Sequence, residues 1–274
     1  MKQVLGLFLK GVWIGGTLSV PGVSGGSMAM ILGIYEHLVQ AVNVLISRGG
    51  KKLEALKFLL IVSLGGILGL LAVSGPILVL LERYPMQMVF FFSGAIAGGI
   101  PMIWAEGKSD GFKWGHIAYL FVGLAAVMFL RILPDELFFI GKERGAIGMI
   151  MQFIGGIIAA IALVLPGISV SHMLYVLGLY TGIITAISQM DLYILLPFVL
   201  GTAIGIVLTA RAVDHLMLRF PSQTYMIILG FVLGSVVELI GMGVKHSFSI
   251  VCIPLFVLGY VFIYLLSRKR KANC

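Results

Sequence analysis

The sequence predicts an all-α polytopic membrane protein made of two inverted-topology repeats, from three observations: its composition, its run of apolar segments, and a Pro-Gly motif that occurs twice. Of its 274 residues, 60% are hydrophobic and only 11% are charged. With a mean hydropathy of +1.11, such a chain cannot keep the surface of a soluble globule wetted, so lipid is its expected solvent.

A hydrocarbon core about 30 Å thick takes roughly 20 apolar residues per helical crossing, and stretches of that size recur throughout. Charge, Pro or Gly divides the chain into ten segments, at 4–20, 24–46, 58–81, 86–104, 115–133, 146–165, 168–188, 193–217, 224–242 and 248–267. Two junctions stand apart. Segments one and two are separated only by PGVSGGS (Pro21–Ser27), and segments six and seven only by PGISVSH (Pro166–His172), with no charged loop in either place. The first segment, with Lys2 and Lys10, has the look of a signal peptide. It runs into Pro21-Gly22 without a small-x-small cleavage pattern, however, and reads as a retained membrane segment.

Self-comparison explains the recurrence. Pro21, Gly22, Ser24, Leu32, Gly33 and Tyr35 match Pro166, Gly167, Ser169, Leu177, Gly178 and Tyr180, each 145 positions on. A second block, Gly65, Gly69, Arg83, Pro85, Gly94 and Gly98, matches Gly201, Gly205, Arg219, Pro221, Gly230 and Gly234, each 136 on. The difference of nine residues is absorbed by the longer basic loop around Arg48–Lys57. Chance recurrence in a chain with 36 glycines is the alternative, but two ordered blocks containing Tyr and Arg matches favour duplication. The first repeat is then 1–134, with a hairpin at 4–46 and helices at 58–81, 86–104 and 115–133. The second is 146–274, with a hairpin at 146–188 and helices at 193–217, 224–242 and 248–267. Each half holds five segments, or three spans plus a hairpin, and both counts are odd. An odd count inverts the second copy relative to the first, as in many secondary transporters.

Loop charge tests the orientation independently. With the N-terminus inside, the cytoplasmic face gains Lys2, Arg48, Lys51, Lys52, Lys57, Lys108, Lys113, Arg211, Arg219 and the tail Arg268–Lys271. The outer face gains Arg83, Lys142, Arg144 and Lys245, so the balance is thirteen to four. That asymmetry predicts cytoplasmic N- and C-termini. The same placement argues against nucleic acid as the partner of a chain with net charge +8. Cys252 and Cys274 lie too far from any pattern to predict a disulfide or metal framework.

The Pro-Gly motifs are the candidate site. Proline cannot continue a helix without freeing a carbonyl, and glycine permits the dihedrals of a sharp turn. Broken backbone at membrane depth is tolerated only when buried in protein or lining a wet cavity. Two breaks at corresponding positions of inverted halves point to a transport site. The residues predicted to line a phosphate cradle are Pro21, Gly22, Ser24, Gly25, Gly26, Ser27, Pro166, Gly167, Ser169, Ser171 and His172. Helix-initial N–H groups, serine hydroxyls and a titratable histidine suit an oxyanion better than a cation. Gly65, Gly69, Gly94, Gly98 and their partners read instead as close-packing positions between helices.

Further ionisable residues in or near the apolar runs are Lys10, Glu36, Arg83, Arg211, Arg219 and Glu238, as headgroup contacts, coupling groups or helix anchors. Glu36, ten residues beyond Gly26, is expected about 15 Å along a continuous helix. Glu238 has no repeat partner, since position 102 is methionine. No nucleophile with its base, no paired metal ligands and no cofactor motif stands out, so the protein is expected to be no enzyme and to need no metal or cofactor.

PGVSGGS followed by a helix ending LGIYE, and PGIS followed by LGLY, resemble the polyprenyl-phosphate transporter family of bacterial inner-membrane proteins. The resemblance covers nearly the whole chain. It implies a multi-pass inner-membrane protein that translocates undecaprenyl phosphate from the outer to the cytoplasmic leaflet, recycling the carrier lipid of envelope polymer synthesis. Leu18 stands where the family pattern carries an acidic residue three positions before the first Pro-Gly. The alternative on residues alone is a transporter or channel for a small soluble oxyanion.

Overall fold

The structure, a computed structural model, describes residues 2–18, 20, 22–108, 112–134, 145–243 and 249–268. Pro21, the charged residues between 135 and 144, Lys245 and the basic tail from 269 onward therefore lie outside the described residues. The described chain is helical, with no strand. In order the helices are α1 (Lys2–Thr17), α2 (Gly25–Ile31), α3 (Tyr35–Ile46), α4 (Lys52–Arg83), α5 (Pro85–Gly107) and α6 (Ile117–Ile132), the last led by a 3-10 turn at Trp114–His116. They continue with α7 (Ala146–Val164), α8 (Val170–Val176), α9 (Tyr180–Gln189), α10 (Leu192–Arg219), α11 (Pro221–Gly243) and α12 (Cys252–Arg268).

Six of these, α4, α5, α6 with its leading turn, α7, α10 and α11, are long and apolar enough to cross a bilayer. The pairs α2–α3 and α8–α9 raise the number to eight if each counts as one span. The segments expected as continuous over 24–46 and 168–188 are in fact broken, by bends of 111° and 109°. The cause is a glycine C-terminal motif in each. Gly33 (φ 69) and Gly178 (φ 68) take left-handed backbone. Around Gly33, its own N–H donates to Met30 O (2.9 Å) and that of Ile34 to Ala29 O (3.0 Å); around Gly178, the equivalent donors reach Tyr175 O and Leu174 O, both at 2.9 Å. These 5→2 and 6→1 bonds close a helix and turn the chain. Glu36 accordingly opens α3 beyond the bend, and the straight-helix estimate of its position does not hold.

Packing follows glycine. A Cβ on Gly65 would run into Phe8 O of α1, and one on Gly201 into Phe153 O of α7. A Cβ on Gly94 would meet Phe256 O of α12, and one on Gly230 would meet Leu120 O of α6. Each contact recurs at the sequence offsets: Phe8 to Phe153 is 145 positions, Leu120 to Phe256 is 136. Helix α1 thus packs on α4 and α7 on α10, each within its own half, whereas α5 takes α12 and α11 takes α6, across the halves. Small residues let backbones approach this closely where lipid supplies no hydrophobic drive between helices. Gly201→Ala should therefore cost about 1–3 kcal/mol through overpacking. Gly6→Ala, with nothing within 4 Å, should leave stability unchanged. Thermal unfolding of the two variants in one detergent checks the contrast.

Candidate functional site

The two Pro-Gly motifs meet at the centre of this framework. A helix must cap its first N–H groups, and α2 does so with Ser24, in extended backbone (φ −95, ψ 146). The Ser24 hydroxyl accepts from Ser27 N (3.0 Å) and donates to Ser27 Oγ (2.9 Å). It also accepts from the backbone N–H of Gly167 at 2.8 Å, so a side chain of the first motif holds the turn of the second. The contact is tight: a Cβ on Gly26 would lie 3.1 Å from the Pro166 backbone. Gly22 (φ 77) and Gly167 (φ 82) make the two turns in left-handed backbone. A Cβ on Gly167 would strike the Phe231 carbonyl of α11.

The second motif has the same plan and a different exposure. Ser169 caps α8, accepting from His172 N at 3.4 Å, and its Oγ lies 3.0 Å from that of Ser171. Ser24 and Ser27 are buried, whereas Ser169 is half-buried and Ser171 exposed. Between the motifs lies a cavity of about 620 Å³ whose polar lining is Ser24, Ser169 and Ser171, together with Tyr175 and Tyr180. The two tyrosine rings stack with centroids 4.0 Å apart. The rest of the wall is apolar, including Leu18, Val20, Ile168 and Leu174. An anion entering here meets hydroxyl donors on one side and hydrocarbon on the other.

Other predicted residues are placed around this cavity rather than in it. His172 points its Nε2 to Leu130 O of α6 at 3.1 Å and so donates there. Glu238 on α11 stands in charge reach of His172 and Arg131, and the Arg131 guanidinium lies 3.5 Å from Val237 O. Lys10 donates to Leu32 O at 2.8 Å, at the bend of the first hairpin. Glu36 accepts from the Tyr225 hydroxyl of α11. Arg83 and Arg219 close the C-termini of α4 and α10, exposed, each over the next aromatic ring at 5.7 and 5.5 Å (Tyr84 and Phe220). Arg211 is exposed on α10.

Several contributors have no part in the cradle expected from sequence. Tyr35 donates its hydroxyl to Val164 O at 3.0 Å, tying α3 to α7. Asn43 donates to Asp214 of α10 at 2.9 Å. Leu18, Leu163 and Tyr180 line the cavity. The available signal was the repeat itself: Tyr35 with Tyr180, and Leu18 with Leu163, are pairs at the 145-residue offset.

A family model described as undecaprenyl phosphate translocase-like matches residues 14–252. A polyprenyl-phosphate transporter of Staphylococcus aureus (strain NCTC 8325 / PS 47) is 28% identical over 275 residues, covering 97% of this chain and 96% of that protein. A polyprenyl-phosphate transporter of Vibrio cholerae serotype O1 (strain ATCC 39315 / El Tor Inaba N16961) is 29% identical over 243 residues, covering 84% of this chain and 76% of that protein. No solved structure matches.

Proposed function

The chain belongs to the undecaprenyl phosphate translocase-like family, and on that premise we propose that it moves a polyprenyl phosphate, undecaprenyl phosphate in particular, from the outer to the cytoplasmic leaflet of the bacterial inner membrane. The returned carrier is then free for another round of envelope polymer synthesis. The observation that carries this reading is the cavity between the motifs, with hydroxyls from Ser169 and Ser171 set in an otherwise largely apolar wall. A bare phosphate crossing hydrocarbon is prohibitively expensive. A polar station at a helix break lowers that cost for the headgroup while the chain stays in an apolar medium.

The proposal includes the inverted repeat. Its support is the doubled helix order, the paired bends of 111° and 109°, and the glycine contacts that recur at the sequence offsets. With cytoplasmic termini, the two hairpins approach the junction from opposite faces, which gives each leaflet its own approach to one central station. The chemistry asked of the protein is binding and reorientation; no bond is broken.

The test is to purify the protein from bacterial membranes in mild detergent, extract its lipid and compare it by mass spectrometry with an unrelated multi-pass protein purified alongside. Enrichment of polyprenyl phosphate over bulk phospholipid is expected. Equal profiles in the two preparations, together with phosphate-only uptake by proteoliposomes, would favour a soluble-oxyanion transporter and sink the lipid reading.

A further inference from the structure

A second cavity, of about 340 Å³, lies on the other side of the same junction, walled by α1, α2, α3, α4, α7 and α10. Three residues, Leu18, Gly25 and Leu163, line both this cavity and the larger one between the motifs. Leu18 and Leu163 lie 145 positions apart, matching the offset of the two motifs, and are 43% and 40% exposed. Each borders cavity on two sides.

The two chambers differ in chemistry. The larger presents the Ser169 and Ser171 hydroxyls. The smaller is walled by Val39, Val42, Leu59 and Ile206, and no charged residue lines it. Its Tyr35 hydroxyl is already committed to Val164 O at 3.0 Å. On the α2 side Gly25 and Gly26 add no side chain, which brings the chamber up to the helix backbone next to Ser24.

We propose that this smaller chamber is the prenyl subsite, holding the first isoprene units of the lipid whose phosphate occupies the larger cavity; the inference rests on the lipid-phosphate reading above. The shared wall of Leu18, Gly25 and Leu163 assigns the occupant. A phosphate at Ser169 and Ser171 carries its chain past Leu18 and Leu163, and what lies beyond them is a space lined, Tyr35 and Ser63 apart, by aliphatic residues and glycine, with no charge to hold a second anion. A chain that is already in lipid gains little hydrophobic energy there, because bilayer tails are as apolar as these walls. The subsite instead selects shape and fixes direction, so that the headgroup points at the serines, as an apolar pocket with a few placed polar groups does.

The experiment uses the full chain in nanodiscs and a short polyprenyl phosphate with a photoactivatable diazirine on its second isoprene unit. Peptide mapping after illumination should find adducts at Val42, Leu59 or Ile206, competed away by undecaprenyl phosphate. Adducts confined to bilayer-facing Leu71, which is 77% exposed on α4, but still competed by undecaprenyl phosphate, would overturn the subsite and leave the transport reading standing. No competition at any position would overturn both. As a second measurement, Ser63→Trp, which plugs the chamber from its exposed wall, should weaken undecaprenyl phosphate binding about tenfold, while Leu71→Trp on the same helix should not; equal affinities for the two variants would contradict the assignment.

Discussion

Ser24→Ala should destabilise the protein by about 2–4 kcal/mol, whereas Ser169→Ala, its repeat equivalent, should cost well under half as much. The Ser24 hydroxyl accepts two backbone N–H groups, from Ser27 at 3.0 Å and Gly167 at 2.8 Å, at a side chain only 5% exposed. Removing it strands two buried donors: loss of the Ser27 N–H bond, which is the α2 cap, costs about 0.5–2 kcal/mol, and the unpaired Gly167 N–H about 1–3 kcal/mol. Ser169 accepts one N–H, at 3.4 Å, beside an exposed partner hydroxyl, and water takes its place readily. Thermal unfolding of the two variants in the same detergent decides the matter. Equal losses would mean that the two motifs are not joined through Ser24.

Function should show the reverse order. The double variant Ser169→Ala/Ser171→Ala removes both second-motif hydroxyls from the wall of the larger cavity. A hydrogen bond to a charged phosphate contributes about 1.5–3 kcal/mol, so affinity or transport should fall roughly tenfold to a hundredfold per lost bond. Unfolding temperature should stay within a few degrees of wild type, because neither hydroxyl spans the junction. Saturation binding with undecaprenyl phosphate, read beside the melting curve, separates a lost ligand contact from a lost fold. Wild-type affinity in the double variant would remove the serines from the binding site.

Much of this architecture can be read from the residues, and the reasons are physical. Apolar length at helical rise predicts α5, α7, α10 and α11 closely but misses the charged opening of α4, which begins at Lys52 rather than at 58, and Pro85 and Pro221 mark the first turns of α5 and α11. The glycines predicted as packing positions, Gly65, Gly94, Gly201 and Gly230 among them, meet neighbouring backbone, because a membrane helix pair has little else to pack with. The bends at Gly33 and Gly178 were less legible. LGIY and LGLY stood in the repeat alignment, but a glycine inside an apolar run reads equally as a packing residue, and only the backbone angle distinguishes a helix stop. The pairing of α5 with α12 and of α11 with α6 was not legible either, since nothing local in a sequence states which distant helix fills a groove.

The candidate site was legible in position and not in its asymmetry. Ser24 and Ser169 look alike in sequence, each a serine after Pro-Gly-x. Both border the cavity, but the Ser24 hydroxyl is buried and spent as a structural tie while that of Ser169 is half-buried, because the partner of Ser24 is Gly167, 143 residues away. Ionisable residues followed the same rule. Lys10 and Glu36 read as membrane-depth oddities, yet their contacts, Leu32 O and the Tyr225 hydroxyl, place them as ties at the bend of the first hairpin. Their repeat equivalents are Gly155 and Thr181, which cannot make the same charged contacts, so the second hairpin lacks these ties.

The most direct test of the account is transbilayer movement of undecaprenyl phosphate in proteoliposomes, read by the fraction of lipid open to an enzyme or antibiotic confined to one side. Wild-type protein should exchange the lipid between leaflets far faster than protein-free vesicles, and the Ser169→Ala/Ser171→Ala variant, folded to the same melting temperature, should approach the protein-free rate. Exchange no faster than in empty vesicles with wild-type protein, or equal exchange by wild type and the double variant, would contradict a phosphate station at the second motif.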